Sequence, residues 1–422
     1  MHRYMAVCVV FYASCYIYKE MKKMISNEMA VMIEGSSAIR AMFEEGAKLA
    51  EKYGKENVYD FSLGNPNVPA PAMINDAIKE VLDEDDTLLV HGYMMNAGYE
   101  DVRKTIADHL NEVYGTDFAA ENIIMTVGAA GGMNVIFKTI IDQGDEVIAF
   151  APFFAEYNGY AANHGAKLAV VPPNTENFQP NLDEFKNMIN KKTKAVIINT
   201  PNNPTGVIYS DDTLKNLASI MDMKQKEFGT DIYLISDEPY RELVYDGMEV
   251  PYVTKFYANT IVGYSYSKSL SIPGERIGYL VIPSEASDAK DLIAGAGVAT
   301  RVLGFVNAPS LIQRAVAKCQ NVSADIEAYN KNREALYDGL KEIGFECIKP
   351  EGAFYMFVKS PIDDEKEFCS IAKKFNILLV PGSSFACPGY VRIAYCVAYD
   401  TIVNSMPRFR ELMDEIRELQ KV

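Results

Sequence analysis

Seven short runs constrain this chain most: Ile123–Val127, Glu146–Phe150, Leu168–Val171, Ala195–Asn199, Ile232–Ser236, Thr260–Ser265 and Gly278–Ile282. Each is continuously apolar along most of its length, and helical stretches separate them. A strand with one wet face alternates apolar and polar residues, whereas an unbroken apolar run has to be covered on both faces. The pattern predicts an α/β fold with a mostly parallel sheet and helices on each side. In such sheets ligands bind beyond the carboxyl ends of the strands, and the polar motifs of this chain stand there.

With 422 residues the chain can hold two or three domains and bury a large core. A formal net charge of −16 argues against nucleic acid and anionic membrane as partners, although it does not describe the charge of a cleft. The seven cysteines are an odd number with no C-x-x-C pair, which reads as reduced thiols in a cytoplasmic protein. Four scattered histidines offer neither zinc-ligand spacing nor a Ser-His-Asp triad, so no metal is expected.

One run ends in Ser265-Tyr266-Ser267-Lys268 and continues to Pro273-Gly274-Glu275-Arg276-Ile277-Gly278. A lysine at the end of a buried strand is costly unless chemistry neutralises it, and a desolvated lysine is suited to Schiff-base formation. Two hydroxyls and a guanidinium nearby suit a phosphate dianion. A surface lysine and an ordinary salt bridge would leave the same short pattern. The stretch resembles the Ser-x-Ser-Lys…Gly-x-Arg-x-Gly signature of the class I/II aminotransferases, fold-type I enzymes that use pyridoxal 5′-phosphate (PLP). On that resemblance Lys268 is the Schiff-base lysine, and Ser265, Ser267 and Arg276 anchor the phosphate.

Further segments match that family in its order. Gly128-Ala129-Ala130 opens a helix and resembles the phosphate cup, which implies that the Ala129 and Ala130 backbone binds phosphate. Pro152-Phe153-Phe154-Ala155-Glu156-Tyr157 resembles the segment whose aromatic stacks on the pyridine ring, here Phe154, with Phe for the usual Tyr or Trp and Ala155 for Pro. Asn203 of Asn-Pro-Thr-Gly and Tyr240 of Asp-Glu-Pro-Tyr are implied to bind the cofactor's phenolic oxygen, and Asn203 also lies where substrate binds. Asp237 is implied to pair with the ring nitrogen and make the ring an electron sink. Gly64, in Leu63-Gly64-Asn65-Pro66, resembles the glycine that lets backbone approach the substrate carboxylate; a plain turn fits it equally. Tyr93 resembles a tyrosine that reaches the phosphate of the neighbouring subunit, and a core tyrosine is the rival reading. Arg392 stands alone on the apolar run Val391–Cys396 and fits the clamp for the substrate α-carboxylate.

The resemblance spans about residues 25–420. It implies a large PLP-binding domain with a seven-stranded sheet over 62–303, a small α+β domain from 24–61 and 304–422, and a homodimer. Residues 1–23 read as an extension, with an apolar run at Ala6–Tyr18 too short to span a bilayer, and suggest a start codon placed too far upstream. The implied reaction is amino transfer between aspartate or a related amino acid and a 2-oxo acid, with Lys268, Asp237 and Tyr240 as the catalytic set. A PLP lyase or decarboxylase on the same scaffold is the alternative, and a PLP-binding regulator without turnover is the non-enzymatic one. Arg301 and Arg40 are candidates for a second carboxylate, and the sequence does not choose between them.

Overall fold

A computed structural model describes residues 48–84 and 86–421, with scattered positions between 25 and 46. The run at Ala6–Tyr18 lies outside the described residues, as do Arg40 and the pair Ser36 and Ser37, which the sequence offers as N-caps of a helix over about 38–53. Of the helix expected over 38–53, residues 48–53 are described and helical, and it stops at Gly54 with φ 85°. Residues 48–422 form one compact unit.

The strands in chain order are β1 Tyr59–Asp60, β2 Ile123–Thr126, β3 Glu146–Phe150, β4 Lys167–Val171, β5 Thr193–Asn199, β6 Tyr233–Asp237, β7 Thr260–Ser265, β8 Gly278–Val281, β9 Tyr355–Lys359, β10 Ile377–Leu378, β11 Val380–Pro381 and β12 Tyr390–Ala394. Seven of them form one sheet in the order β2-β8-β7-β6-β5-β3-β4, in which β8 runs against both its neighbours and the other pairs are parallel. Each apolar run became a strand of this sheet. The reason is visible residue by residue: Val147, Ala149, Ala195 and Ile197 pack into one core, while Ile148, Phe150, Val196 and Ile198 pack into another on the opposite face. Helix Gly128–Ile140 contributes Met133, Ile136 and Phe137 to the first, and Asp211–Phe228 contributes Leu214, Leu217 and Met221 to the second.

Strand boundaries moved by a residue or so, and one shift matters: β6 ends on Asp237 itself, paired with Gly263 of β7. The C-terminal part builds a three-stranded antiparallel sheet, β11-β12-β9, and a parallel pair of β1 with β10. The sequence over Val322–Leu340 predicts a helix; in the fold it begins at Ile326, because the Asp325 carboxylate accepts from the Ala328 N–H and caps it there. The short apolar run Phe345–Ile348 predicts a strand, but no regular strand forms there. It meets β9 through a single Cys347–Val358 bridge, while Phe345 packs toward Phe368 and Phe409. Helices Ile326–Ile343 and Tyr399–Leu419 bury Tyr329, Leu336, Leu340, Phe409 and Leu412 against this sheet, and Tyr59 and Phe61 join the same core.

Candidate active site

Parallel strands deliver their last residues to one edge, and β5, β6 and β7 deliver Asn199, Asp237 and Ser265. Asp237 is buried, and its Oδ2 accepts the Tyr157 hydroxyl at 2.6 Å while Oδ1 has no partner. Burial pushes the Asp237 carboxyl up to about 7; the Tyr157 hydrogen bond pulls it down and neighbouring Glu238 pushes it further up. Glu238, next in sequence, faces the other way. It accepts from Ser236 and pairs with buried Arg241.

Lys268 follows β7 in the short helical turn Tyr266–Ser269. Its Nζ donates to the Gly64 carbonyl at 2.7 Å and lies 5.2 Å from the Phe354 ring centre. Desolvation holds the ammonium down at about 8, opposed by the Cys396 thiol and assisted by Arg276 and Arg392. A lysine that gives up its proton near neutrality can act both as nucleophile and as base. Gly64 is required where it stands, since a Cβ there would collide with the Tyr355 hydroxyl.

On the phosphate side, Ser265 and Ser267 are buried and share a hydroxyl hydrogen bond of 2.8 Å. Ser265 caps the turn that carries Lys268 by accepting from the Ser267 N–H. Arg276, with φ 52°, is anchored by donating to the Pro273 carbonyl at 3.0 Å and reaches across to Gly128, φ 66°, where a Cβ would meet its Nη2. Ala129 and Ala130 follow in the first turn of that helix, where backbone N–H groups have no intrahelical acceptor.

On the carboxylate side, Arg392 is buried in the middle of β12, paired with Phe357 of β9 and Val380 of β11. Its Nη1 donates to Asn203 Oδ1 at 3.0 Å and its Nη2 to the Ser62 carbonyl at 2.7 Å; its Nε has no partner. The Tyr355 and Phe385 rings lie 4.6 and 4.8 Å from the guanidinium. Asn203 is itself fixed, its N–H donating to Asn199 Oδ1 at 2.7 Å. The Tyr240 hydroxyl meets that of Tyr355 at 3.0 Å. Phe154 sets its ring edge-on to Tyr157, at 5.7 Å and 87°.

The fold thus gathers Lys268, Asp237, Tyr240, Asn203, Gly64 and Arg392 through a connected set of contacts, and Ser265, Ser267, Arg276 and the Ala129–Ala130 turn into a second group at the same sheet edge. Tyr93 does not join them: it is 92% exposed. Arg301 ends helix Ala289–Val302 and is also exposed. Sequence reasoning assigned no role to Tyr157, Tyr355, Phe385 or Cys396, whose thiol lies 3.5 Å from the Leu63 carbonyl. Tyr157 closes the Pro152–Tyr157 segment, Tyr355 follows Glu351-Gly352-Ala353-Phe354, and Phe385 ends Pro381-Gly382-Ser383-Ser384-Phe385; nothing in those stretches themselves marks a role for the three. Among the described residues no cluster of metal-ligating side chains occurs.

A buried carboxylate oxygen without a donor at the end of β6, and a lysine held near neutrality just past the neighbouring strand β7, fit a ring with a protonated nitrogen and a carbonyl carbon. Two hydroxyls, a guanidinium and a helix N-terminus fit its phosphate. The model of the family "Aminotransferase class I and II" matches residues 56–403. An aspartate aminotransferase of Pyrococcus horikoshii is 31% identical over 405 residues, covering 94% of this chain and 99% of that protein. An aromatic-amino-acid aminotransferase of Thermococcus litoralis is 31% identical over 90% of this chain and 96% of its own. The crystal structure of an aminotransferase from Eubacterium rectale superposes with a TM-score of 0.90 at 49% identity, over 93% of this chain and 99% of that one. A family match over residues 56–403, a range that spans Lys268, Asp237 and Arg392, together with relatives covered almost end to end, leaves one assignment: this chain belongs to the class I and II aminotransferase family.

Proposed function

We propose that this enzyme moves an amino group between aspartate or a related amino acid and a 2-oxo acid, with PLP held at the edge of the seven-stranded sheet. The observation that carries the proposal is the buried, unpartnered Asp237 Oδ1 at the carboxyl end of β6, next to the strand that leads into Lys268. PLP when bound supplies an electron sink conjugated to the substrate's Cα. Asp237, aimed by Tyr157, holds the proton on the ring nitrogen. Lys268 would hold the cofactor at its carbonyl carbon, and as a free amine with its pKa lowered to about 8 it would carry the proton at the substrate's Cα near neutral pH. Ser265, Ser267, Arg276 and the Ala129–Ala130 backbone bind the phosphate, and Phe154 covers the ring. Tyr240 and Asn203 donate to the phenolic oxygen. Arg392 binds the α-carboxylate with its outward edge, which aims the Cα–H bond at Lys268.

The named relatives are aminotransferases, which favours transamination over a lyase or decarboxylase. Their names include aspartate and aromatic amino acids, so aspartate leads and an aromatic donor is the second reading. A homodimer is part of the proposal: Leu88, Leu89, Tyr93 and Met95 are exposed, Asn96 donates to the carbonyl of exposed Val306, and Asn307 donates to the Met94 and Met95 carbonyls. An apolar surface of that kind fits a second copy, to which Tyr93 would reach as a phosphate ligand. The division into 62–303 and the two flanking segments remains the proposed domain organisation, supported by the separate core around β9 and β12. No described helix is long and apolar enough to cross a membrane. A cytoplasmic site of action is part of the proposal, supported by the free thiols of the described cysteines.

The test is direct. Purified protein reconstituted with PLP should develop visible cofactor absorbance, and a panel of amino donors should convert it to the aminated form in a single half-reaction. A protein that binds no PLP, or binds it and responds to no amino acid, would overturn the proposal.

A further inference from the structure

Tyr355 touches two functional groups through two different parts of its side chain. Its hydroxyl lies 3.0 Å from the Tyr240 hydroxyl, and either oxygen can donate in that pair. Its ring lies over the Arg392 guanidinium at 4.6 Å, with Phe385 at 4.8 Å as a second ring. The same hydroxyl also meets the bare Cα face of Gly64, whose carbonyl accepts the Lys268 ammonium. Tyr355 is the first residue of β9, in register with Ala394, two residues along β12 from Arg392. The pleat therefore sets both side chains on one face of the small sheet. Charged and titratable groups facing Tyr240 are Tyr355, Arg392 and Asp237.

We infer that Tyr355 is a positioning residue that couples the substrate-carboxylate arginine to the tyrosine on the cofactor's phenolic oxygen. The inference rests on the function proposed above. A phenol has a single proton. When Tyr240 spends its proton on the cofactor oxygen, the Tyr240–Tyr355 hydrogen bond survives only with Tyr355 as donor. A hydroxyl that accepts a hydrogen bond becomes a stronger donor itself. Tyr355 therefore sharpens the donation by Tyr240, which drains electron density from the ring and makes the attached lysine nitrogen less basic. Its ring meanwhile fixes the plane of Arg392, whose two Nη atoms are held by Asn203 and Ser62. The two rings stabilise the cation without presenting a competing carboxylate, so the substrate is the first anion the guanidinium meets.

Two parts of one side chain with two jobs can be separated by substitution. In the PLP-loaded enzyme, Tyr355→Phe removes the hydroxyl and keeps the ring. The pH midpoint of the bound cofactor's absorbance should rise by roughly half a unit or more, while the dissociation constant of L-aspartate, read from the concentration dependence of the half-reaction, changes by less than about twofold. Phe385→Leu removes the other ring and leaves both tyrosines: the L-aspartate constant should rise roughly threefold to thirtyfold with the absorbance midpoint unmoved. Tyr355→Leu should show both effects. A fold defect would lower thermal stability and cofactor retention without producing this split, and Phe385→Leu still reads the ring's part if Tyr355→Leu does not fold. An unmoved midpoint in Tyr355→Phe, or an L-aspartate constant in Tyr355→Leu no higher than in Tyr355→Phe, overturns the coupling. If the unsubstituted protein binds no PLP, the functional proposal falls and this inference with it; if it binds PLP and the split is missing, only the inference falls.

Discussion

Asp237 and Arg392 are both buried charges in the same site, yet two kinds of sheet hold them in different ways. Asp237 is the last residue of β6, and the parallel sheet places it by ending there. Arg392 lies mid-strand in an antiparallel sheet, which places it by alternation of faces rather than by a strand end. Their surroundings differ in consequence. The acid has one hydroxyl partner, a free oxygen and a carboxyl pushed up to about 7, so it is costly until a cation arrives. The arginine is cushioned by two rings and two oxygen acceptors and has no ion-pair partner among the described residues. Strand ends of the large sheet thus concentrate groups that need a ligand, and the face of the small sheet presents a cation that is already comfortable and ready for one.

The comparison predicts where each substitution will register. Lys268→Ala belongs to the large-sheet side and should have the largest effect. It should abolish the lysine-linked cofactor absorbance and lower kcat by roughly ten-thousandfold or more, since nucleophile and proton carrier are lost together. Steady turnover in that variant would break the assignment. Asp237→Ala should retain PLP yet slow proton abstraction by on the order of a hundred- to a thousandfold, as expected when a group that stabilises developing charge is removed. A near-normal single-turnover rate would mean that another group protonates the ring. On the small-sheet side, Arg392→Lys keeps the charge and loses the fork. The cofactor spectrum should stay intact while kcat/KM falls for every amino acid by an amount worth roughly 2–5 kcal/mol. A variant that is less stable but kinetically normal would make Arg392 a structural cation instead.

Asp237 also allows a pH test that Arg392 does not. Its pKa rises from an ordinary carboxylate value to about 7 on folding, so between about pH 4 and 7 the folded, cofactor-free protein holds a proton that the unfolded chain has lost. Stability contributed by that proton is therefore present at low pH and lost as pH rises through 7. Asp237→Asn should remove this dependence and make the cofactor-free protein more stable above pH 7 by roughly 2–4 kcal/mol, measured by denaturant unfolding at pH 5 and pH 8. An equal or lower stability at pH 8 would show that the aspartate is better solvated than its burial implies. The smallest effect belongs to neither sheet: deleting residues 1–23 should change stability by less than about 0.5 kcal/mol and leave activity unaltered. Loss of folding would show that the extension belongs to the fold.

Much of this protein could be read along the chain. Continuous apolar runs fixed a covered, mostly parallel sheet because burial on both faces leaves no room for alternation, and each run became a strand. Lys268, Asp237 and Arg392 stood out because a charge next to or within an apolar run needs a reason. Local propensity erred where tertiary contacts decided the outcome, as at Phe345–Ile348, which packs an aromatic into the core rather than completing a strand. Partnerships were not legible at all. Lys268 finds the Gly64 carbonyl across 204 residues, Arg392 finds Ser62 across 330, and Tyr240 finds Tyr355 across 115. A sequence pattern reports how a residue is solvated and which turns its neighbours allow, since these depend on a few adjacent side chains. Which distant oxygen a buried hydroxyl or guanidinium meets depends on strand register and on the packing of two sheets, and only the folded chain sets those.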